Sequence, residues 1–538
     1  MDAGEGTLIL YRLDGLQTND GIMALHTIDT PLASGASERV GWRGWVSLAV
    51  LMLPVLLVSV DNTVLSFALP QIALDLAPTS AQQLWIIDAY PLVLASLLVT
   101  MGTLGDRFGR RRLLLIGATG FGILSVLAAF APTAELLIAA RAGLGVFGAM
   151  LMPSTLSLLR SIFRDREQRR LAIAVWAAGF SAGMALGPIV GGFLLEHFAW
   201  GSVFLLAVPV LIPLLVAAPL LIPESRDPRP GRIDPISILL SLATMVPVVY
   251  AIKSLAVEGF TGPAPWLLAL GAVAGALFVR RQLRAADPML DMALFRRGTF
   301  SGAVLVNLLS VIGLVGFLYF VAQHLQLVLE LSPMEAGIAL LPGLAVMIAA
   351  GLGVVPLARR FPARIIVPAA LSLSVLGYLI VALTTDAQSL SMLIVAFMTL
   401  GAGIGMAETV SNELILSSAP AAKAGAASAV SETAYELGAV LGTTIMGGIL
   451  TAYYRAALDL PVGIPAVAAD AARETLAGAM NAADSLEPAM GAQLRDAAAH
   501  AFDGGVVITS LIGAGLIVLA AIVAAASLGG SRRIVPQE

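Results

Sequence analysis

The chain has 538 residues, of which 58% are hydrophobic and only 12% are charged, and its mean hydropathy is +0.91. Soluble domains carry about 25% charged residues, so this composition excludes a soluble globular protein. The net charge of −4 is too small to indicate a nucleic-acid partner, and the lack of cysteine excludes disulfides and thiolate-bound metals. The four histidines lie too far apart in the sequence to form a local metal motif.

Residues 1–42 are polar and Gly-rich, and we expect them to form a disordered cytoplasmic tail. They lack the basic start and short apolar core of a signal peptide. Apolar runs of about 20 residues follow, and each is long enough to cross a bilayer as a helix. We predict fourteen helices, at residues 43–72, 81–104, 112–131, 134–158, 170–195, 201–222, 235–256, 264–280, 299–327, 334–357, 364–383, 389–415, 427–453 and 504–527.

The basic residues predict the orientation of these helices, because cytoplasmic loops are enriched in Lys and Arg. With a cytoplasmic N-terminus, all but five of the 31 basic residues lie on the cytoplasmic side. The exceptions are Arg141, Lys253, Arg455, Arg473 and Arg495. Both termini are therefore expected in the cytoplasm, and residues 454–503 in one long external loop. We expect this loop to be a solvated cap of short helices interrupted by Pro488.

Two loops suggest an internal repeat. The sequence "GTLGDRFGRRRL" after the second helix is weakly similar to "VPLARRFPARII" after the tenth. This spacing predicts two six-helix halves, at 43–222 and 299–528, with two helices inserted between them at 235–280. Parallel halves of this kind are typical of a large transporter fold.

The first of these loops carries a specific motif. Its residues Gly102, Asp106, Arg107, Gly109 and Arg110 match the cytoplasmic signature between the second and third helices of the major facilitator superfamily, which this loop resembles. The resemblance implies a conformational latch that stabilises the outward-open state. The alternative is a basic loop that only fixes the topology.

The fifth helix contains "GMALGPIVGG". Gly183, Gly187 and Gly191 repeat every four residues, so they form a small-residue face against which another helix can pack closely. With Pro188 and Gly192 they resemble the antiporter signature of the same superfamily, found in its exporters. Simple packing glycines are the alternative reading.

Further stretches narrow the resemblance. The number of helices together with "DNTVLSFALP", "LWIIDAY" and "SETAYELG" resembles the 14-helix drug:proton antiporter family, close to exporters of quaternary ammonium compounds. This implies an all-α major facilitator fold with a 6+2+6 arrangement. Arg141 resembles the membrane-embedded Arg of the family's fourth helix, but Leu144 stands where a Gln is usual. Ser66 likewise replaces an Asn of the first-helix pattern.

Charged residues occur inside several predicted helices. Asp61, Asp88 and Arg141 lie very roughly 5–8 Å outward of the bilayer centre by helical rise. Since a charge at that depth costs at least about 2.5–3.5 kcal/mol, these groups should face a wet cavity or one another. Asp61 paired with Arg141 would stay ionised, and Asp61 released from Arg141 would take up a proton. A static ion pair is the alternative.

The thirteenth helix holds a second acidic group. Glu432 and Glu436 share one helix face beside Tyr435, and Glu408 lies at a similar depth in the twelfth helix. Two carboxylates so close resist double ionisation, so at least one should carry a proton near neutral pH. The resemblance implies that acids here bind protons and cationic drugs. Snorkelling of Glu432 to the surface is the alternative.

Aromatic and Met side chains could complete a chamber for a lipophilic cation. With Tyr435, the candidates are Trp85, Tyr90, Trp176, Phe180 and Met184. Each alone can equally pack against a neighbouring helix or face lipid.

These observations predict a monomeric antiporter in the inner membrane of a bacterium. It should export hydrophobic cationic compounds such as quaternary ammonium compounds and dyes, driven by the proton gradient without a cofactor. Cationic substrates are expected because the acids inside the predicted helices outnumber the bases. Only Arg141 faces the five acids Asp61, Asp88, Glu408, Glu432 and Glu436. Export of an endogenous lipid, siderophore or amino acid is the alternative. An enzyme is not expected, because the sequence shows no reactive Cys, no paired His and no phosphate loop.

Overall fold

The computed structural model describes residues 40–226, 234–258, 262–285, 288, 290, 292–383, 390–418 and 424–528. The predicted tail 1–42 falls, except for its last three residues, outside this description. Within the described ranges the chain forms helices and turns, without a strand.

We number the helices along the chain. They are α1 (Trp42–Leu76), α2 (Ser80–Phe108), α3 (Arg110–Ala129), α4 (Ala134–Ile162), α5 (Arg166–His197), α6 (Ser202–Leu221), α7 (Pro235–Glu258), α8 (Ala264–Arg284), α9 (Gly298–Val328), α10 (Pro333–Arg360), α11 (Ala363–Leu383), α12 (Leu390–Ser418), α13 (Ala427–Ala457), α14 (Ala466–Glu474), α15 (Leu476–Asp484) and α16 (Pro488–Ser527). All except α14 and α15 are long and apolar enough to cross a membrane, so the fourteen predicted spans and the all-α class are confirmed.

The packing of the first six helices recurs in the helices after the insertion. In the first set, α4 packs on α2 and α3, and α1 packs on α5. In the second set, α12 packs on α10 and α11, and α9 packs on α13. The two sets meet where α5 contacts α10 and where α2 contacts α13, so the interface also repeats. We call α1–α6 the N-half and α9–α16 the C-half.

The inserted helices form a hairpin at the edge of this assembly. α8 packs on α7, and α7 carries contacts to α2 of the N-half and α13 of the C-half. Few of the side chains in either helix are buried. The side chain of Asp234, just before α7, accepts two hydrogen bonds from Arg281 near the end of α8, at 2.7 and 2.8 Å. The Arg281 guanidinium holds the pKa of this carboxyl well below its usual range, so the Asp234–Arg281 ion pair stays charged at physiological pH.

The long loop differs from its prediction. α13 continues to Ala457 and α16 begins at Pro488, so the loop spans 458–487 rather than 454–503. Pro488 starts α16 instead of separating two short helices, as expected of a residue whose missing N–H is not needed in a first turn. The loop is also packed rather than simply solvated, because α15 contacts α1 and α16, and the Tyr454 hydroxyl donates to the Ala472 carbonyl at 2.8 Å. We call this end of the molecule the cap face, and the end with the Arg-rich loops the basic face.

Candidate functional site

The motif after α2 forms a sharp corner on the basic face. Gly109 joins α2 to α3 with φ of +116°, a conformation that favours glycine. Asp106 on the last turn of α2 pairs with Arg110 on the first turn of α3 at 2.8 Å, and both side chains are partly exposed. Arg107 is exposed, and Gly102 lies against Pro153 of α4. The predicted latch residues thus lie together, with Asp106 joined to the neighbouring helix.

Glu224 completes this corner, and sequence analysis did not identify it. Its carboxylate accepts hydrogen bonds from the backbone N–H groups of Arg111 and Arg112, at 3.0 and 3.2 Å. A carboxylate at a helix N-terminus satisfies free N–H groups and interacts favourably with the helix dipole. The residue that caps α3 is therefore Glu224, which follows α6, whereas Asp106 pairs with the Arg110 side chain. A Cβ at Gly109 would lie 2.8 Å from the Glu224 carboxylate, which gives a second reason for glycine there.

The glycines of α5 bring this helix against α1. A Cβ added at Gly183, Gly187 or Gly191 would lie 2.6, 1.8 or 2.6 Å from side-chain atoms of α1. Gly192 points instead toward Pro333 and Met334 of the C-half, where a Cβ would lie 2.8 Å from backbone atoms. The motif therefore sets two close contacts, one within the N-half and one between the halves.

Pro188 and Thr63 explain one of these contacts. A proline has no N–H, so Pro188 leaves the carbonyl of Met184, four residues earlier, without its helical donor. The Thr63 hydroxyl lies 3.2 Å from that carbonyl oxygen and donates to it. Gly187 is the residue that lets Thr63 come this close.

Asp61 and Arg141 form a buried ion pair between α1 and α4. Arg141 Nη1 lies 2.6 Å from Asp61 Oδ2, and the two side chains are only 2% and 9% exposed. Arg141 also donates to the Ile86 carbonyl at 3.2 Å, and its guanidinium lies 4.7 Å from the ring centroid of Tyr90. Asp61 and Arg141, which the sequence places at similar depths in the membrane, are thus in contact. Tyr90 lies against Arg141.

Asp88 is also paired, which contradicts the expectation that the interior acids face only Arg141. Lys253 of the inserted α7 places its Nζ 2.9 Å from Asp88 Oδ2, with both side chains buried. The Thr444 hydroxyl of α13 donates to the same oxygen at 2.8 Å. Trp85 lies with its ring centroid 3.9 Å from Lys253 Nζ, so it contacts the ammonium group. Lys253 was counted among the non-cytoplasmic basic residues but not recognised as part of the core.

The acids of α12 and α13 differ from these two. Within the described residues, Glu408, Glu432 and Glu436 form no ion pair with a basic side chain. Glu436 is buried, and its Oε2 has no hydrogen-bond partner in the described part of the chain; the same holds for Glu408 Oε1. The polar neighbours of Glu436 are Glu432 on its own helix and, across the interface, Asn62, Asp61 and Arg141.

Tyr435 lies among these acids. It interacts electrostatically with Glu408, Glu432 and Glu436. Its hydroxyl donates to the Met184 sulfur at 2.9 Å, and its ring meets Phe180 edge-on at 5.8 Å between centroids. Two predicted chamber residues of α5 therefore meet Tyr435 across the interface between the halves.

Two cavities lie along this interface. The first, which we call the central cavity, has about 40 Å³ and is lined by Asn62, Asp88, Arg141, Met184 and Tyr435, among others. It can hold water but not a drug-sized molecule. The second, the basic-side cavity, has about 320 Å³, within the size range of ligand pockets. The basic-side cavity is lined by Glu432, Trp176, Asp106, Gly102 and Arg160, among others.

The predicted chamber is therefore divided. Trp176, Met184 and Tyr435 line the two cavities, and Phe180 supports Tyr435. Trp85 and Tyr90 instead contact the basic partners of Asp88 and Asp61, and line neither cavity. An apolar third cavity of about 270 Å³ lies between α2, the inserted hairpin, α9 and α13.

Comparison with known proteins agrees with this architecture. Residues 51–443 match the model of the Major Facilitator Superfamily. The chain is 56% identical over 488 residues to the multidrug efflux pump LfrA of Mycolicibacterium smegmatis, covering 91% of this chain and 97% of LfrA. It is 37% identical over 470 residues to the methyl viologen resistance protein SmvA of Salmonella typhimurium, covering 86% and 93%.

A solved structure shows the same fold. The bacterial homolog of the human lysosomal transporter Spinster superposes with a TM-score of 0.63 at 19% identity, covering 92% of this chain and 99% of that one. The predictions of a transporter rather than an enzyme, and of a multi-pass membrane protein, are confirmed. The chain therefore belongs to the major facilitator superfamily, among its multidrug efflux transporters.

Proposed function

We propose that this transporter is a proton-coupled antiporter that exports hydrophobic cationic compounds, including quaternary ammonium compounds and dyes. The observation that carries the proposal is the group of acids around Tyr435. Glu408, Glu432 and Glu436 have no basic partner among the described residues, and Glu432 lines a cavity of drug size. The proton gradient supplies the driving force, so no cofactor is required.

Competition for these carboxylates is the mechanism of coupling. A carboxyl group buried without a counter-charge is stable either when it carries a proton or when it faces a cation. Glu432 and Glu436 are one turn apart, so a drug cation between them favours release of a proton, and protonation favours release of the drug. Tyr435, Phe180 and Trp176 offer aromatic faces to the apolar part and the charge of such a drug.

Asp61 and Arg141 act as the gate in this proposal. Glu436 interacts electrostatically with both, so a change of charge on α13 acts on the ion pair across the interface. Protonation of Asp61 would release Arg141 and uncouple α1 from α4. The names of the relatives support the substrate class, since one is a multidrug efflux pump and one confers resistance to methyl viologen, an organic dication.

Purified protein in liposomes tests this function directly. Addition of ethidium or tetraphenylphosphonium should drive proton movement across the liposome membrane, reported by a pH-sensitive dye. With the Glu432→Gln/Glu436→Gln double variant, the same cations should cause no proton movement. Cation transport without proton movement would contradict the coupling. Proton movement driven by a lipid, siderophore or amino acid, and not by cations, would establish the alternative substrate class.

We further propose that the basic face is cytoplasmic, in the inner membrane of a bacterium, and that the protein works as a monomer. Because the chain has no cysteine, single cysteines report the orientation cleanly. Arg164→Cys lies exposed on the basic face, and Val462→Cys lies exposed on the cap face. In intact cells an impermeant maleimide should label only position 462. Labelling of position 164 instead would reverse the orientation.

A further inference from the structure

Lys253 occupies a position that is unusual for its helix. It is the only charged residue of α7 before Glu258, and α7 lies at the edge of the molecule. Yet the Lys253 side chain is only 2% exposed and reaches the fully buried Asp88 of α2. A buried ammonium group in a membrane is costly unless a counter-charge receives it, so this side chain is placed for Asp88.

The surroundings of Lys253 Nζ have the composition of an ammonium-binding site. A carboxylate oxygen lies 2.9 Å from the nitrogen, and the Trp85 ring centroid lies 3.9 Å from it. Tyr250 flanks the same tryptophan, with 6.1 Å between ring centroids. An aromatic face combined with a carboxylate is the arrangement that recognises substituted ammonium ligands.

This site has unused binding capacity. Asp88 Oδ2 is shared between Lys253 and Thr444. The Thr443 hydroxyl is also a neighbour of this carboxyl group, but within the described residues Asp88 Oδ1 has no hydrogen-bond partner of good geometry. Lys253 Nζ meets Asp88 by charge and distance but makes no hydrogen bond of good geometry there. Asp88 also lines the central cavity, together with Tyr435 and Met184. The carboxylate therefore shares a cavity with Tyr435, around which the proposed cation-binding acids are grouped.

We propose that Asp88 and Trp85 form a second ammonium-binding site, which Lys253 occupies as a tethered ligand. The inserted hairpin thereby neutralises one interior acid and determines how many positive charges a substrate can carry. With Lys253 in place, the acids around Tyr435 provide the available counter-charge. Without it, Asp88 provides a second counter-charge for a cation.

The binding site can be tested without transport. Lys253→Ala removes three methylene groups and the ammonium, a fragment with the size and charge of n-propylammonium. Addition of about 10 mM n-propylammonium to this variant in detergent should raise its Tm by about 2 °C or more, because a ligand that binds only the folded state stabilises it. The parent protein, whose site is filled, should not respond.

Matched controls separate binding from general solvent effects. n-Propanol has the same size without the charge and should not stabilise Lys253→Ala. The Lys253→Ala/Asp88→Asn variant lacks the carboxylate and should not respond to the amine. If Lys253→Ala folds only when it is expressed with n-propylammonium, that also supports the site. Equal behaviour with amine and alcohol, or no folded protein with either, would overturn it.

The role in specificity rests on the proposed function and needs a second measurement. Lys253→Met keeps the volume of the side chain but removes its charge. Its affinity for methyl viologen, a dication, should rise about fivefold or more relative to its affinity for ethidium, a monocation. Lys253→Arg should retain the parent ratio, and Lys253→Met/Asp88→Asn should lose the gain.

The stabilisation by n-propylammonium and the preference for a dication test separate parts of the proposal. An unchanged dication preference despite stabilisation by n-propylammonium would overturn the specificity role alone. If neither cation binds to any variant or to the parent, the proposed substrate class is wrong, while the n-propylammonium result still decides whether the ammonium site exists.

Discussion

Two groups of buried charge lie along the interface between the halves, and they differ in how their charges are balanced. In the first group, Asp61 pairs with Arg141 and Asp88 pairs with Lys253, at 2.6 and 2.9 Å. In the second group, Glu432 and Glu436 share one face of α13 without a basic partner among the described residues. The difference between the two groups therefore lies in the side chains that face each acid.

This difference separates structural from exchangeable charge. A paired buried acid is stable only while its partner stays, so removing the partner leaves an uncompensated charge. An unpaired buried acid must instead take a proton or a cation from outside the protein. The first group is therefore suited to holding or switching helix positions, and the second to loading and unloading a substrate.

The largest effect is expected from breaking the Asp61–Arg141 pair. Asp61→Asn keeps the shape of the side chain but removes the carboxylate that pairs with Arg141, which keeps the Ile86 carbonyl and the rings of Tyr90 and Phe204 as neighbours. Breaking a buried pair on one side costs about 3–5 kcal/mol, so the Tm should fall clearly. Proton-driven efflux should be abolished, measured in liposomes with an imposed pH gradient.

The double variant Asp61→Asn/Arg141→Gln distinguishes stability from coupling. It removes both charges, so most of the lost Tm should return while efflux remains absent. A double variant that transports as well as the parent protein would show that the pair is only a static structural element.

A smaller effect is expected from Glu436→Gln. No partner loses its counter-charge, so the Tm should remain close to that of the parent protein. Affinity for a monovalent drug cation should fall about tenfold, which corresponds to about 1.4 kcal/mol, while affinity for neutral compounds should change less. Because proton and cation compete for the same carboxylate, cation binding by the parent should weaken as the pH falls from about 8 to 5.5, and this dependence should flatten in the variant.

Glu432→Gln is the matched comparison, since Glu432 lies one turn away on the same face and is less buried. It should lose less affinity than Glu436→Gln. If both variants bind cations as tightly as the parent at every pH, α13 is not the exchange site, and Glu408 becomes the better candidate.

Much of the fold was predictable because hydropathy acts locally. Each membrane span contains enough apolar residues to be recognised from its own sequence. The Gly and Pro residues of α5 predicted a close helix contact, although the sequence did not indicate that its partner is α1. The error at 488–503 has a physical cause. This segment is too polar to read as part of a membrane helix, but its Ala-rich sequence favours a helix, and α16 simply extends beyond the apolar region.

The site was predictable only where depth along a helix was sufficient. Asp61 and Arg141 could be matched by helical rise, because the helices of one half cross the membrane together. Lys253 could not be matched with Asp88, because the sequence does not indicate which helices the inserted hairpin contacts or which of its faces it buries. Glu224 was missed for a similar reason, since its role depends on α6 ending beside the start of α3.

The smallest effect on stability is expected at Asp106, which is paired like Asp61 but partly exposed. Exposed ion pairs contribute about 0–1 kcal/mol, so Asp106→Asn should barely change the Tm. Transport should still fall, by up to about fivefold, because Asp106 joins α2 to α3 and also lines the basic-side cavity that must close during the cycle. Drug binding should be retained.

Two further variants of the same loop serve as controls. Arg110→Gln removes the same pair from the other side and should give the same loss of transport. Arg107→Gln removes an exposed charge of the loop without breaking the pair. Equal loss in all three variants would show that the loss does not come from breaking the Asp106–Arg110 pair, because Arg107 is not part of that pair. Parent-level transport in Asp106→Asn would reduce the motif to a topology signal.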